Sequence, residues 1–362
     1  MVITILIGII VTIFAYFSGK SNNERYLFIA FSIIFIFLAL RYDFGNDYMA
    51  YFDKFYEVDE ASWNELRDVT GIDAIGESME FGFIFLLKIF TVFSGYYFFI
   101  AFHSLLICLL FFYLIKNNVE IQYYWFAIFL FVFNPNLMLV ELSALRQTLA
   151  ILCFLFSIKY LINRNIVKYL LFILLASSFH LSAIILVPLY FLFTPKPVGK
   201  YEPIIYIVLF LFFMFFGSLL LSPLESITST YLPKYISYVD DGEKAILQSG
   251  FGIIIYSFIY LFILLFAKRE NDREIVIYRI VALFIVLTPL SLALNMLSRL
   301  NFYFEPLLIV VIPQILSSNF NKTTKLFFVS IIVFMSLVST YSHFKSPIYR
   351  EKYNTYKTIL TE

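Results

Sequence analysis

The residues of this chain that can do chemistry fall in five short clusters: Arg41–Asp47, Glu77–Glu80, Glu141–Arg146, His180 and Arg299–Tyr303. In the first, Asp43 and Asp47 stand four apart beside Arg41. On a helix they share a face, whereas a bend at Gly45 parts them. Two carboxylates near an arginine suit sugar hydroxyls, a divalent cation or a base. They equally suit an interfacial helix end with solvated charges. Arg146 is followed by Gln147, and Arg299 stands four residues from both Asn295 and Tyr303, one face of a continuous helix. Guanidinium forks grip phosphate oxygens bidentately and keep their charge in a low dielectric. The plainer reading of each is snorkelling to lipid headgroups. Two arginines, each near an amide, tilt the reading towards a diphosphate clamp. His180, in Ser178-Phe179-His180-Leu181-Ser182, can hold or take a proton near neutral pH; a lone histidine is more often a hydrogen-bonded structural residue. Glu77, Glu80 and Glu141 are spare acids, each a base or a partner for Arg41 or Arg146. Tyr231, Tyr235 and Tyr238 can stack on sugar rings or belong to an interfacial belt.

The elements that must position these residues are membrane helices. Of 362 residues 61% are hydrophobic, 21% aromatic and only 14% charged, far from a soluble domain, which is about half apolar and about a quarter charged. The net charge of +1 leaves no footprint for nucleic acid. The expected fold is all-α and polytopic, roughly 11–13 transmembrane helices in one integral membrane domain, residues 1–362. Apolar runs lie at 2–17, 26–40, 97–115, 123–139, 145–162, 167–193, 204–221, 251–267, 275–297, 302–316 and 326–341. No cleavage site follows the first run, so it is read as a span. Cys108 and Cys153 sit inside apolar runs as small buried hydrophobes, and His103 and His343 look peripheral.

Lys and Arg mark cytoplasmic links, around Lys20, Arg25, Lys159, Arg164, Lys168, Lys196, Lys200, Lys268, Arg269, Arg273, Lys322 and Lys325. Loops 41–80 and 222–250 then face outward. Phe81–Ser94 is short for a span and carries Lys88, which suggests a re-entrant or interfacial helix. The run 167–193 starts and ends beside basic links, so it returns to its own side if it breaks near Ser177-Ser178-Phe179-His180. Both termini then lie outside, and all five polar stretches share that face. The tail's Lys345, Arg350, Lys352 and Lys357 run against the charge rule on this side.

Arg41-Tyr42-Asp43-Phe44-Gly45-Asn46-Asp47-Tyr48 with Tyr51, then Glu77-Ser78-Met79-Glu80-Phe81-Gly82, Arg146-Gln147-Thr148-Leu149-Ala150, Phe179-His180-Leu181-Ser182-Ala183 and Ser298-Arg299 with Tyr303 together resemble the EpsG family, from the first span to about Pro313. These are Wzy-like exopolysaccharide and O-antigen polymerases of the bacterial envelope. The resemblance implies a GT-C-like glycosyltransferase in the cytoplasmic (inner) membrane, its active site facing outward. Its substrate would be a polyprenyl-diphosphate-linked oligosaccharide, the growing glycan passing from its lipid diphosphate to the non-reducing end of the incoming unit. It assigns Arg146 and Arg299, with Arg41, to the diphosphate. It makes His180 the base or orienting group, with Asp43 and Glu80 as catalytic acids of less defined role, and Asp47, Tyr48, Gln147 and Tyr303 as glycan contacts. Guanidinium charge makes a metal or other cofactor unnecessary, although Asp43 and Asp47 keep a cation site open. Membrane lipids and a chain-length regulator are the other expected partners. The rivals are a lipid-linked oligosaccharide flippase or transporter, a ligase-type glycosyltransferase, and a membrane acyltransferase centred on His180. No internal repeat supports transport.

Overall fold

The computed structural model describes residues 2–69, 79–220, 250–291, 295–345 and 347–360. Within them all the regular structure is helical apart from one two-residue strand pair. That is what hydrocarbon demands, because a helix satisfies its own backbone hydrogen bonds where water cannot. In chain order the elements are α1 (Val2–Ser21), α2 (Arg25–Ala39), β1 (Arg41–Tyr42), α3 (Tyr48–Glu60), α4 (Trp63–Val69), α5 (Phe81–Phe93), α6 (Tyr96–Asn118), α7 (Tyr124–Val132), α8 (Pro135–Ser143), α9 (Leu145–Ile162) and α10 (Ile166–Phe179). There follow α11 (Leu189–Leu192), α12 (Glu202–Phe216), α13 (Gly250–Phe266), α14 (Asp272–Ser291), α15 (Asn295–Phe304), α16 (Leu308–Leu316), α17 (Lys322–Lys345), α18 (Pro347–Asn354) and β2 (Lys357–Thr358).

Among the described residues six stretches are long and apolar enough to cross a bilayer: α1, α6, α9, α14, residues 297–316 and α17. Residues 121–132 and 135–143 make a further candidate span, bent by 57°. The other runs expected to cross form apolar helices of 10–17 residues, at about 1.5 Å per residue short of a 30 Å hydrocarbon core. The expected break near His180 is present. α10 stops at Phe179, His180 is extended at φ −153°, and a 3-10 turn runs from Leu181 to Leu186. Loop 222–250, with Tyr231, Tyr235 and Tyr238, lies almost wholly outside the described residues, and Glu77 lies outside them altogether.

The chain forms two compact units. The first comprises residues 1–157, 170–187 and 321–362. Its aromatic core joins Tyr48, Tyr51 and Phe55 of α3, Phe83 of α5, Tyr96 of α6 and Leu145 of α9. Tyr48 meets Tyr96 edge-on at 5.5 Å, and Tyr51 meets Phe83 likewise at 5.5 Å. Lys88 explains how so short and apolar a helix as α5 tolerates a charge. Its Nζ donates to the carbonyls of Val58, Asp59 and Ala61 at 2.9, 3.0 and 2.7 Å, capping the C-terminal end of α3 where the helix dipole is negative.

The second unit comprises residues 158–169 and 188–320. Arg279 of α14 forks onto Glu202 at the start of α12, Nε to Oε1 at 2.6 Å and Nη2 to Oε2 at 2.8 Å. Its Nη1 donates to the carbonyls of Thr194 and Lys196. The sequence reading had no role for this arginine.

Candidate functional site

Arg146 is presented by a helix break in the first unit. α8 ends at Ser143 and α9 begins at Leu145, so the last carbonyls of α8 need donors from elsewhere. Side chains supply them, two from distant parts of the sequence and one from the next helix. Tyr353 Oη donates to Leu139 O at 3.3 Å, Thr148 Oγ1 to Glu141 O at 3.5 Å, and Arg41 Nη2 to Leu142 O at 3.3 Å. Three residues on, at the start of α9, His103 Nε2 meets Leu145 O at 3.2 Å and must be the donor there, because a carbonyl only accepts. His103 is therefore not peripheral, as the sequence suggested; it is wholly buried.

The Arg41–Asp47 loop is wrapped against this break. Asp43 takes φ +43° and Gly45 φ +133°, so the two aspartates do not share a helical face. A Cβ on Gly45 would sit 3.0 Å from Leu142 O and in a backbone region closed to L side chains. Asn46 N–H donates to Ser143 Oγ at 3.2 Å. Asp43 lies 3.4 Å from Lys352, and Asp47 flanks α3, exposed. Tyr48 is buried and donates to Arg41 O at 3.1 Å. Arg41 itself is wholly buried, with Tyr48 5.9 Å from its guanidinium, and burial pulls its pKa below the ordinary value. Its Nε and Nη1 have no partner.

Arg146 and His180 meet through one carboxylate. Glu80 Oε2 accepts from Arg146 Nη1 at 2.6 Å, and Oε1 accepts from the N–H of Leu181 at 3.0 Å. That amide opens the 3-10 turn directly after His180, whose Nδ1 lies 2.6 Å from Ser182 Oγ. The reach depends on Gly82, since a Cβ there would lie 2.7 Å from Ser178 O, closer than any real contact. Arg146 and Glu80 keep 28% and 21% of their side-chain surface accessible, so the pair is open on one side. Tyr51 closes another side. Its hydroxyl is hydrogen-bonded to Arg146; burial raises its pKa, and the guanidinium opposes that rise.

Four of the five predicted stretches thus meet in the first unit, around the α8–α9 break. Gln147 is buried on α9, and Glu141 is buried with Oε2 unpartnered. The fifth stretch lies in the second unit. There α15 runs unbroken through Asn295, Arg299 and Tyr303; Arg299 is exposed and Tyr303 wholly buried. The structural roles of His103, Tyr353 and Lys88 escaped the sequence reading. Their only signal was a polar atom placed inside or beside an apolar run.

No curated protein and no solved structure matches the chain. The sequence profile of the EpsG family, a bacterial family of Wzy-like polymerases, matches residues 24–358. The match passes beyond Pro313, where the resemblance was expected to stop, and takes in α17, α18 and β2. On that span, nearly the whole sequence, the chain is a multi-pass membrane protein that belongs to the EpsG family.

Proposed function

We propose that the protein polymerises a polysaccharide at the outer face of the cytoplasmic membrane, moving a glycan from a polyprenyl-diphosphate donor to the non-reducing end of a polyprenyl-diphosphate-linked repeat unit. The observation that carries this reading is the Glu80 bridge, which holds an incompletely paired arginine next to a histidine at a helix break. A partly exposed ion pair contributes only about 0–1 kcal/mol. A diphosphate, with more charge than a carboxylate, displaces Glu80 from Arg146 at little cost. Arg146 retains a buried, unpartnered Nε with which to complete a fork.

The reaction then divides among the residues as follows. The acceptor hydroxyl oxygen attacks the anomeric carbon, and the bond from that carbon to the diphosphate oxygen breaks. Negative charge develops on the leaving oxygen, where Arg146 stabilises it without reorganisation. His180 takes the hydroxyl proton; with Nδ1 held by Ser182, the exchange runs through Nε2. Glu80, released from Arg146, orients the acceptor. Asp47 flanks the glycan path on the Arg41 loop, Tyr48 is buried there and holds the loop through Arg41 O instead of meeting the glycan, and Gln147 follows Arg146 on α9. Arg299, exposed on α15, is the further arginine that the family resemblance assigns to the diphosphate, with Tyr303 on the same helix. Arg41 serves the site by holding the α8–α9 break. No step calls for a metal.

The test is the purified protein in lipid nanodiscs with synthetic diphosphate-lipid repeat units. A ladder of products with release of polyprenyl diphosphate is the expected result. One added unit and no ladder makes the protein a ligase, and translocation without new bonds makes it a flippase.

A further inference from the structure

From the sequence the basic C-terminal tail is only an outer end whose charges run against the charge rule. In the structure it is bound to the Arg41 loop and to the α8–α9 break. β2 pairs antiparallel with β1, Thr358 against Arg41 and Lys357 against Tyr42, and Ile359 N–H continues the ladder to Leu40 O at 3.0 Å. Tyr356 stacks on Phe37 at 4.7 Å and donates to Phe37 O at 2.7 Å. Lys352 lies beside Asp43. Tyr353, only 1% exposed, meets Phe44 edge-on at 5.2 Å.

Tyr353 also completes a hydrogen-bond chain whose direction follows from counting donors. Asn46 N–H donates to Ser143 Oγ, and Tyr353 Oη donates to Leu139 O. The tyrosine's single proton is thereby used, so Ser143 Oγ–H donates to Tyr353 Oη in their short contact. Each hydroxyl gives one bond and takes at least one. The chain pins the loop that carries Asp43 and Asp47 to the last turn of α8, three residues before Arg146.

We infer that residues 347–358 are a positioning element of the site and that Tyr353, acting through Ser143, sets where α9 presents Arg146. This rests on the proposed polymerase reading for its kinetic consequence, but not for the positioning itself. Tyr353 touches no substrate in this account. Its loss leaves binding of the lipid-linked unit in place and misaligns Arg146 at the moment of bond breaking, when tolerance for displacement is smallest.

Two measurements on the full-length protein test this. The first is amide hydrogen exchange of wild type, Tyr353→Phe and Ser143→Ala. Phe keeps the ring against Phe44 and removes only the hydroxyl. Both substitutions are expected to speed exchange about tenfold in peptides covering Asn46 and residues 144–148, with the other helices unchanged; unaltered exchange there overturns the inference whatever the activity. The second is polymerisation kinetics of the same variants and of the double variant. Turnover is expected to fall about tenfold with KM within about twofold, and the double variant is expected to be no worse than either single, as for residues that act through one another. Unchanged turnover, additive losses, or losses that merely follow a lower melting temperature overturn it. A wild type that makes no polymer refutes the proposed function instead, and the exchange arm still decides the positioning claim.

Discussion

Among the described residues, two arginine–glutamate pairs are built for opposite ends. Arg279 and Glu202 in the second unit form a closed fork: Nε and Nη2 meet both carboxylate oxygens, and Nη1 takes two backbone carbonyls. Arg146 and Glu80 in the first unit make a single direct contact, the carboxylate shares itself with a backbone N–H, and Nε of the arginine is unpartnered. The first arrangement spends its donors on the protein. The second keeps donors in reserve beside an open face. An arginine that can hold a ligand combines unused guanidinium donors with accessible surface: Arg279 has spent its donors, and Arg41 has unused donors but no accessible surface.

The largest effect that sharpens this contrast is at Arg146. Arg146→Ala is expected to lower polymer formation by about a hundredfold or more while the protein still inserts, and Arg146→Lys to recover little, since a point charge does not replace a fork. Arg279→Met is expected to do the reverse. It strands Glu202 and destabilises the fold by about 2–3 kcal/mol, below the cost for a fully buried partner because Glu202 keeps 21% of its side chain accessible. Thermal unfolding in detergent reads that loss, and turnover per folded molecule is expected to hold within about twofold of wild type, well short of the drop at Arg146. A loss of turnover per folded molecule in Arg279→Met as deep as in Arg146→Ala breaks the comparison.

Smaller effects test the supports of the open pair. Gly82→Ala is expected to push α5 off Ser178, at about 1–3 kcal/mol of overpacking strain, and to weaken the Glu80 bridge, read as faster exchange of the Leu181 amide. Lys88→Met leaves three carbonyls at the end of α3 without their donor, for about 1–3 kcal/mol, with the site chemistry unaltered. The smallest effect is in pH. Burial pushes the Tyr353 and Tyr356 hydroxyls up to about 12. Their folded values exceed the unfolded one of about 10, so their contribution is complete below about pH 10 and is lost as pH rises towards 12. Tail docking, followed by proteolysis after α17, is expected to be flat from pH 6 to about 10 and to weaken above it.

The sequence made Arg146, Glu80 and His180 legible, because a charged or titratable group beside an apolar run is costly and so draws attention. The helix break at His180 was legible from the basic links that bracket its run. What it hid was partnership. Glu80 reaches partners 66 and 101 residues away, and no local spacing encodes such a link. His103 reads as a stray polar residue in α6 until the carbonyl of Leu145 is placed against it. The tail reads as cytoplasmic by its lysines, and its strand pairing with Arg41–Tyr42, which puts it on the same side as the site, is invisible in local sequence. Arg41 reads as a ligand clamp by its type, and only its complete burial against Leu142 O reveals a support.

The measurement that tests the central claim most directly is release of polyprenyl diphosphate from a synthetic lipid-linked repeat unit by purified wild type, Arg146→Ala and Arg279→Met, normalised to folded protein. Release together with a glycan ladder in wild type and Arg279→Met, and neither in Arg146→Ala, is the predicted result. Equal release from all three, or none from wild type, contradicts it.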